Sequence, residues 1–190
     1  MRVIGGSVRG RQLADFSGRE IRPTPDRVRE ALFSILYSKR GPLSGCTVLD
    51  LFAGSGALGI EALSRGARHA WFVESSRPAI NTIRQNLARC GLADRATVIM
   101  TDLWGALPRL AGDGPFDLLF ADPPYAAGLA PRLVVEVSRL GLLTADGLLC
   151  LETAPADPVP AQVGNLSLLD RRRYGSTMLH FFQPAPEEPA

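Results

Sequence analysis

The sequence predicts an α/β fold: a Rossmann-like, mostly parallel sheet that ends in an antiparallel C-terminal hairpin, with a small N-terminal extension. Three observations carry this prediction. Short apolar runs alternate with helical patterns from Val48 to Leu151, as in chained βαβ units. The stretch Val48–Gly59, VLDLFAGSGALG, reads as a buried strand, a glycine turn and the start of a helix. Four predicted strands carry an acid within or just after them, namely Asp50, Glu74, Asp102 and Asp122. Ligands of such sheets bind beyond the carboxyl ends of the strands, so acids there form a site hypothesis. Taken singly, each acid reads first as a turn former that ends a strand, and it is the four in register that favour a site.

The elements follow in order. Arg2–Ile4 and Arg9–Leu13 flank the turn signal Gly5-Gly6 and predict a basic hairpin. Arg22-Pro23-Thr24-Pro25 is extended, with Thr24 as N-cap and Pro25 at the first position of a helix running to about Tyr37. Val28, Ala31, Leu32, Ile35 and Leu36 give that helix one apolar face. The central strand, Val48–Phe52, is followed by a helix ending near Arg65-Gly66. Ala70–Val73 is the second strand, and Pro78–Ala88 is a helix with Ile80, Ile83 and Leu87 on one side. Thr97–Met100 is the third strand, Leu103–Leu110 a short helix interrupted by Pro108, and Asp117–Ala121 the fourth strand. Leu133–Leu140 is helical and Gly147–Leu151 is the fifth strand. Leu166–Asp170 and Met178–Phe182 form the final hairpin, separated by Arg171–Arg173 and Gly175-Ser176. Residues 1–40 are the N-terminal hairpin and helix, 41–183 the catalytic domain, and 184–190 a disordered Pro/Glu tail.

The chain has 190 residues, enough for one domain with a real core. No apolar run is long enough to cross a bilayer, and the first residues lack the apolar core of a signal peptide, so a cytoplasmic protein without membrane contact is expected. Cys46, Cys90 and Cys150 are far apart and form no CxxC, so they are expected as buried small hydrophobes, with no metal site. The net charge of +2 is uninformative, but its distribution is not. The first 29 residues hold seven arginines against three acids, an excess of +4 that suits a polyanion. Arginine is also the habitual cation here, since Lys39 is the single lysine.

The motifs imply a chemistry. Gly54, Gly56 and Gly59 satisfy GxGxxG, and glycines let a ligand approach the backbone closely. That pattern does not separate a dinucleotide from S-adenosylmethionine (AdoMet). Glu74, 20 residues past Gly54, can accept both hydroxyls of a ribose, which both ligands carry. Asp50 separates them modestly, because a carboxylate suits a ligand with an ammonium and a sulfonium better than a pyrophosphate. Asp102 is placed to accept from an adenine amino group.

Asp122-Pro123-Pro124-Tyr125 is the most specific signal. An exocyclic amine on a base is conjugated into the ring and is a poor nucleophile. The Asp122 side chain and the Pro123 carbonyl can hold its hydrogens so that it faces a methyl donor. Proline fixes the direction of the carbonyl, and Tyr125 offers a face for a flipped base, worth roughly 1–3 kcal/mol. Read as structure alone, the double proline is a rigid turn after a strand. His69 and His180 read as packed residues, Trp71, Trp104 and Phe120 as core. Arg171–Arg173 fit an RNA contact and a solvated hairpin end equally.

VLDLFAGSG together with DPPY resembles the class I AdoMet-dependent methyltransferases that act on exocyclic or amide nitrogens. The blocks IGGSVRGRQL, IRPTPDRVREALFSIL, LDLFAGSGALGIEALSRGA and RRYGSTMLHFF resemble the RsmD family of bacterial 16S rRNA guanine-N2 methyltransferases, from Ile4 to Phe182. The resemblance implies methylation of guanine 966 at N2 in small-subunit rRNA, within a 30S subunit or an assembly intermediate. It implies a seven-stranded sheet with a reversed last strand. It implies that Asp50, Phe52, Gly54, Ser55, Gly56, Glu74, Ser75, Asp102 and Leu103 hold AdoMet, and that Asp122, Pro123 and Tyr125 hold the guanine. Tyr125 stands where family members also carry phenylalanine, and either ring can stack. Arg22 and Thr24 border the same pocket in this reading, and Arg9 and Arg11 join them as RNA contacts. Two other readings use the same residues: methylation of a different planar amine, in DNA adenine or cytosine or a protein glutamine, and a non-enzymatic nucleotide-binding module.

Overall fold

The computed structural model describes residues 1–15, 26–124 and 128–185. The backbone divides into two units, Met1–Leu103 and Trp104–Ala190.

In the first unit the predicted basic hairpin is present in minimal form. Arg2 and Gln12 make one antiparallel bridge, and the Val3 amide donates to the Arg11 carbonyl at 3.0 Å. Val3 and Leu13 are buried while Arg9 and Arg11 are exposed, so the strap turns its apolar residues inward. The elements that follow are α1 (Asp26–Arg40), β1 (Thr47–Leu51), α2 (Ala57–Ser64), β2 (His69–Glu74), α3 (Arg77–Cys90), a 3-10 turn at Ala93–Arg95, and β3 (Ala96–Met100). Their strands are parallel, in the order β3-β2-β1. Every residue of β1 is buried, which is why that strand reads as an apolar run rather than an alternation. The first helix extends to Arg40 instead of Tyr37. Its predicted cap, Thr24 with Pro25, lies outside the described residues. α3 starts with Pro78 in its first turn and stops at Gly91, a left-handed C-cap.

The strap is fastened to α2 by polar groups that an apolar helix rarely carries. Glu61, fully buried, accepts the amides of Ile4 at 2.7 Å and Gly5 at 2.8 Å, and its Oε1 also accepts from Arg65 Nε at 2.7 Å. Ser64 Oγ donates to the Gly5 carbonyl at 2.6 Å and accepts the Val8 amide at 3.1 Å. The guanidinium of Arg65 lies 4.9 Å from the centre of the Phe33 ring on α1. Two of the motif blocks, IGGSVRGR and IEALSRGA, are therefore the two sides of one joint. Arg29, also fully buried, holds the strap from α1, donating from Nη2 to the Arg2 carbonyl at 2.7 Å and to Asp26.

The second unit contains most of α4 (Leu103–Leu110), then β4 (Phe116–Ala121), α5 (Leu129–Arg139), β5 (Leu143–Thr153), β6 (Gln162–Val163), β7 (Leu166–Tyr174) and β8 (Thr177–Pro184). The order is β4-β5-β8-β7-β6. β4 and β5 are parallel, and the other neighbours are antiparallel. The reversed last strand and the final hairpin match expectation, while among the described residues eight strands stand where seven were implied. The extra one, β6, has two residues and no period to read.

Three boundaries differ from expectation for physical reasons. β5 begins at Leu143, not Gly147, because the β4–β5 register slips between Phe116 and Leu118. A Cβ on Gly147 would stand 2.9 Å from the Phe116 carbonyl oxygen, so only glycine fits that irregularity. Arg171–Arg173 lie within β7, not in the turn, because Tyr174 pairs with Thr177 and the loop needs only Gly175-Ser176. Pro184 is the last residue of β8, and Ala185 still donates to the Asn165 carbonyl. Pro184 and Ala185, placed in the tail by the sequence, are thus part of the sheet margin, and residues 186–190 lie outside the described residues.

Cys46, Cys90 and Cys150 are buried, as expected, and none of them is in a disulfide. Phe120 is core, but Trp71 and Trp104 are half-exposed, and each ring packs on a polar neighbour. Trp71 meets the His69 ring edge-on at 4.4 Å, and Trp104 lies 3.8 Å beneath the Arg132 guanidinium. His180 is buried, with Nε2 3.0 Å from Thr153 Oγ1, and burial pushes its pKa down to about 4. Among the described residues, no helix is long and apolar enough to cross a membrane.

Candidate active site

The first unit builds a glycine loop between β1 and α2. Phe52, Gly54 and Gly56 all take positive φ, at 57°, 55° and 77°. For Phe52 that conformation costs roughly 1–2 kcal/mol, so the loop must be held from outside. The Ala53 amide donates to the Val73 carbonyl at 3.1 Å. Glu74 Oε2 accepts the Gly54 amide at 3.0 Å, and Glu74 Oε1 accepts the amides of Ser75 and Ser76 at 2.8 Å each. One carboxylate thereby clamps the glycine loop to the turn after β2.

Asp50 explains why an acid interrupts a buried strand. Gly56, the N-cap of α2, has no side chain to offer, and Asp50 Oδ2 accepts the Gly59 amide at 2.9 Å in its place. Gly59 permits this close approach. A Cβ there would stand 2.4 Å from the Phe72 ring and 3.1 Å from Asp50 Oδ2. We expect Gly59→Ala to cost on the order of 1–3 kcal/mol by overpacking, read as a lower urea midpoint with weakened cofactor binding.

Burial, with the nearby Glu74 charge adding to it, pushes the Asp50 pKa up to about 8, against the lowering by the Gly59 amide. No cation among the described residues stands against it to reverse this. Between about pH 4 and pH 8 the native protein holds a proton that the unfolded chain releases. This contribution to stability is complete below pH 4 and is lost as pH rises towards 8. A cationic ligand would favour the ionised acid and expel that proton. We therefore expect cofactor affinity to rise from pH 6 to pH 8 in the wild type. Asp50→Asn, whose amide oxygen still accepts from Gly59, should flatten both dependences in calorimetry and in unfolding across that range.

These observations test whether the residues fit AdoMet. A Cβ on Gly54 would meet nothing nearer than the Phe52 carbonyl oxygen at 3.9 Å, so the loop is open to a ligand there. A buried acid beside it is stabilised in its ionised form by an ammonium or a sulfonium, and a pyrophosphate gives it no such partner. The residues fit.

Glu74 ties Gly54 to Ser75, Asp50 meets Gly59, and the Ser55 carbonyl meets Asn86, while Phe52 and Gly56 lie in the same left-handed loop. Asp102 is exposed at the end of β3, and Leu103 behind it is buried at the start of α4. In the second unit β4 delivers Asp122, half-buried, Pro123, buried, and Pro124, exposed. Tyr125 lies outside the described residues, as do Arg22 and Thr24.

Asn86 was missed by sequence reasoning. It is fully buried on α3 and bonded to the loop: its Nδ2 donates to the Ser55 carbonyl at 2.9 Å. Its signal was a lone amide at the inward spacing of Ile80, Ile83 and Leu87.

Strand, left-handed glycine loop, helix and a clamping acid on the next strand define a Rossmann-like α/β protein with a nucleoside-binding loop. The family model described as conserved hypothetical protein 95 matches residues 1–183. YlbH of Bacillus subtilis is 39% identical over 179 residues, covering 93% of this chain and 95% of that protein. Ribosomal RNA small subunit methyltransferase D of Escherichia coli K12 is 35% identical over 184 residues, covering 96% and 89%. A solved structure of a hypothetical protein from Thermus thermophilus superposes with a TM-score of 0.82 at 35% identity, covering 96% and 99%. The chain belongs to the RsmD family.

Proposed function

We propose that this protein transfers a methyl group from AdoMet to the exocyclic N2 amine of a guanine in small-subunit rRNA, at the position numbered 966 in 16S rRNA. The observation that carries the donor half is the clamped glycine loop beside the uncompensated buried Asp50. The acceptor half is supported by Asp-Pro-Pro-Tyr at the end of β4 and by the activity named for the Escherichia coli relative. The exposed Arg9 and Arg11, with Arg22, supply phosphate contacts in this reading. A substrate of this kind places the protein in the cytoplasm, acting on a 30S subunit or its assembly intermediate.

AdoMet, when bound, would supply an electrophilic methyl on a sulfonium, with the neutral thioether as leaving group. The chain's residues do the positioning. Glu74 would hold the ribose hydroxyls, and Asp102 would accept from the adenine amine. Asp122 and the Pro123 carbonyl accept the two hydrogens of the guanine amine and aim its lone pair. The methylated amine is acidic and would give its proton to water. No strong base is needed. Alignment of this kind supplies on the order of 7–11 kcal/mol.

The test is transfer from tritiated AdoMet to small-subunit rRNA, and to immature subunits, from a strain that lacks the mark, followed by nucleoside mass analysis. The expected product is N2-methylguanosine. Label in DNA, in protein or in another nucleoside would reject the guanine-N2 assignment.

A further inference from the structure

We propose that Asn86 is a positioning residue that couples the cofactor loop to the N-terminal strap, so that filling one orders the other. Its carboxamide is fully buried and fully used. Nδ2 donates to the Ser55 carbonyl at 2.9 Å and to the Ala14 carbonyl at 3.1 Å, and Oδ1 accepts the Ala14 amide at 2.7 Å. Ala14 is held in both backbone directions, as a paired strand residue would be. Glu74 and Asp50 also grip the glycine loop, but Asn86 is the side chain among the three that grips the strap as well. The strap stretch held this way leads on towards Arg22 and Thr24 and carries Arg9 and Arg11 before it.

The physical argument is linkage. Phe52, Gly54 and Gly56 hold the loop in left-handed conformations that need external support. A ligand that immobilises the Ser55 carbonyl fixes the Asn86 amide plane. That plane is rigid, so its other edge becomes a fixed partner for Ala14 at no further ordering cost. By reciprocity, whatever orders the strap improves the loop for its ligand. This rests on the reading of the loop as an AdoMet site.

The test is hydrogen exchange of the full chain with and without S-adenosylhomocysteine, in the wild type and in Asn86→Ser. In the wild type the ligand should slow exchange of the glycine-loop amides and, about tenfold, of the Ala14 amide, a size typical of such coupling. In Asn86→Ser the loop amides should still slow on binding while the Ala14 amide no longer responds. Ligand binding without any change at Ala14 in the wild type overturns the coupling, as does an equal change at Ala14 in the variant. The wild-type arm decides the matter even if the variant does not fold. If S-adenosylhomocysteine alters neither the loop nor the strap of the wild type and shows no heat of binding, the AdoMet reading falls and takes this one with it.

Discussion

Asp122→Ala should lower methyl transfer by about 10²–10³-fold while S-adenosylhomocysteine binding stays within about threefold. The scale is that of removing one preorganised hydrogen-bonding group from a reacting centre, about 2.7–4 kcal/mol. Asp122 suits this role because of where the chain puts it. β4 is buried from Leu118 to Ala121, so the backbone that delivers the acid is fixed. Pro123, itself buried, locks the next φ angle. The side chain is half-buried, close enough to solvent to admit a substrate. Asp122→Asn keeps one acceptor oxygen and should retain more activity than alanine. Single-turnover rates with bound donor separate this from a binding defect. Equal rates for wild type and Asp122→Ala would remove the acid from the reaction.

Glu61→Leu should destabilise the protein by about 3–5 kcal/mol, the usual result of deleting one partner from a buried charge network. Total stabilities are only about 5–15 kcal/mol, so this is a large fraction. The carboxylate receives three donors, the amides of Ile4 and Gly5 and Arg65 Nε. Leucine satisfies none of them. Glu61→Gln keeps one acceptor oxygen and should lose less. Urea unfolding measures the stability. Exchange at the Ile4 and Gly5 amides shows whether the strap detaches before the rest unfolds.

Sequence legibility followed the strength of local signals. The glycine loop was legible because an apolar run, three glycines and a helix period occur in succession. The Leu103–Leu110 helix was legible to the residue, despite Pro108, because its apolar residues recur at helical spacing. Glu61 and Asn86 were not legible as joints. A polar residue on a helix reads as solvated unless its partner is known, and these partners, Ile4, Gly5 and Ala14, are more than 50 residues away. The arginines of β7 were misplaced because three like charges resemble a loop. The tight two-residue turn that keeps them in the strand depends on the pairing of Tyr174 with Thr177. The sequence marks Glu74 as a candidate ribose acceptor but not its grip on the Gly54 amide, since backbone donors leave no trace in residue types.

The brevity of β6 has an effect on how copies of this molecule behave in company. It pairs with β7 at Leu166 and Ser167, and the Leu168 amide donates to the Ala161 carbonyl just before it, so among the described residues no strand pairs with that margin of β7 from Arg171 to Tyr174. Bare margins invite stacking between molecules, and bulky like charges discourage it. Arg171, Arg172 and Arg173 are all exposed along this stretch, the kind of charge that disfavours such stacking.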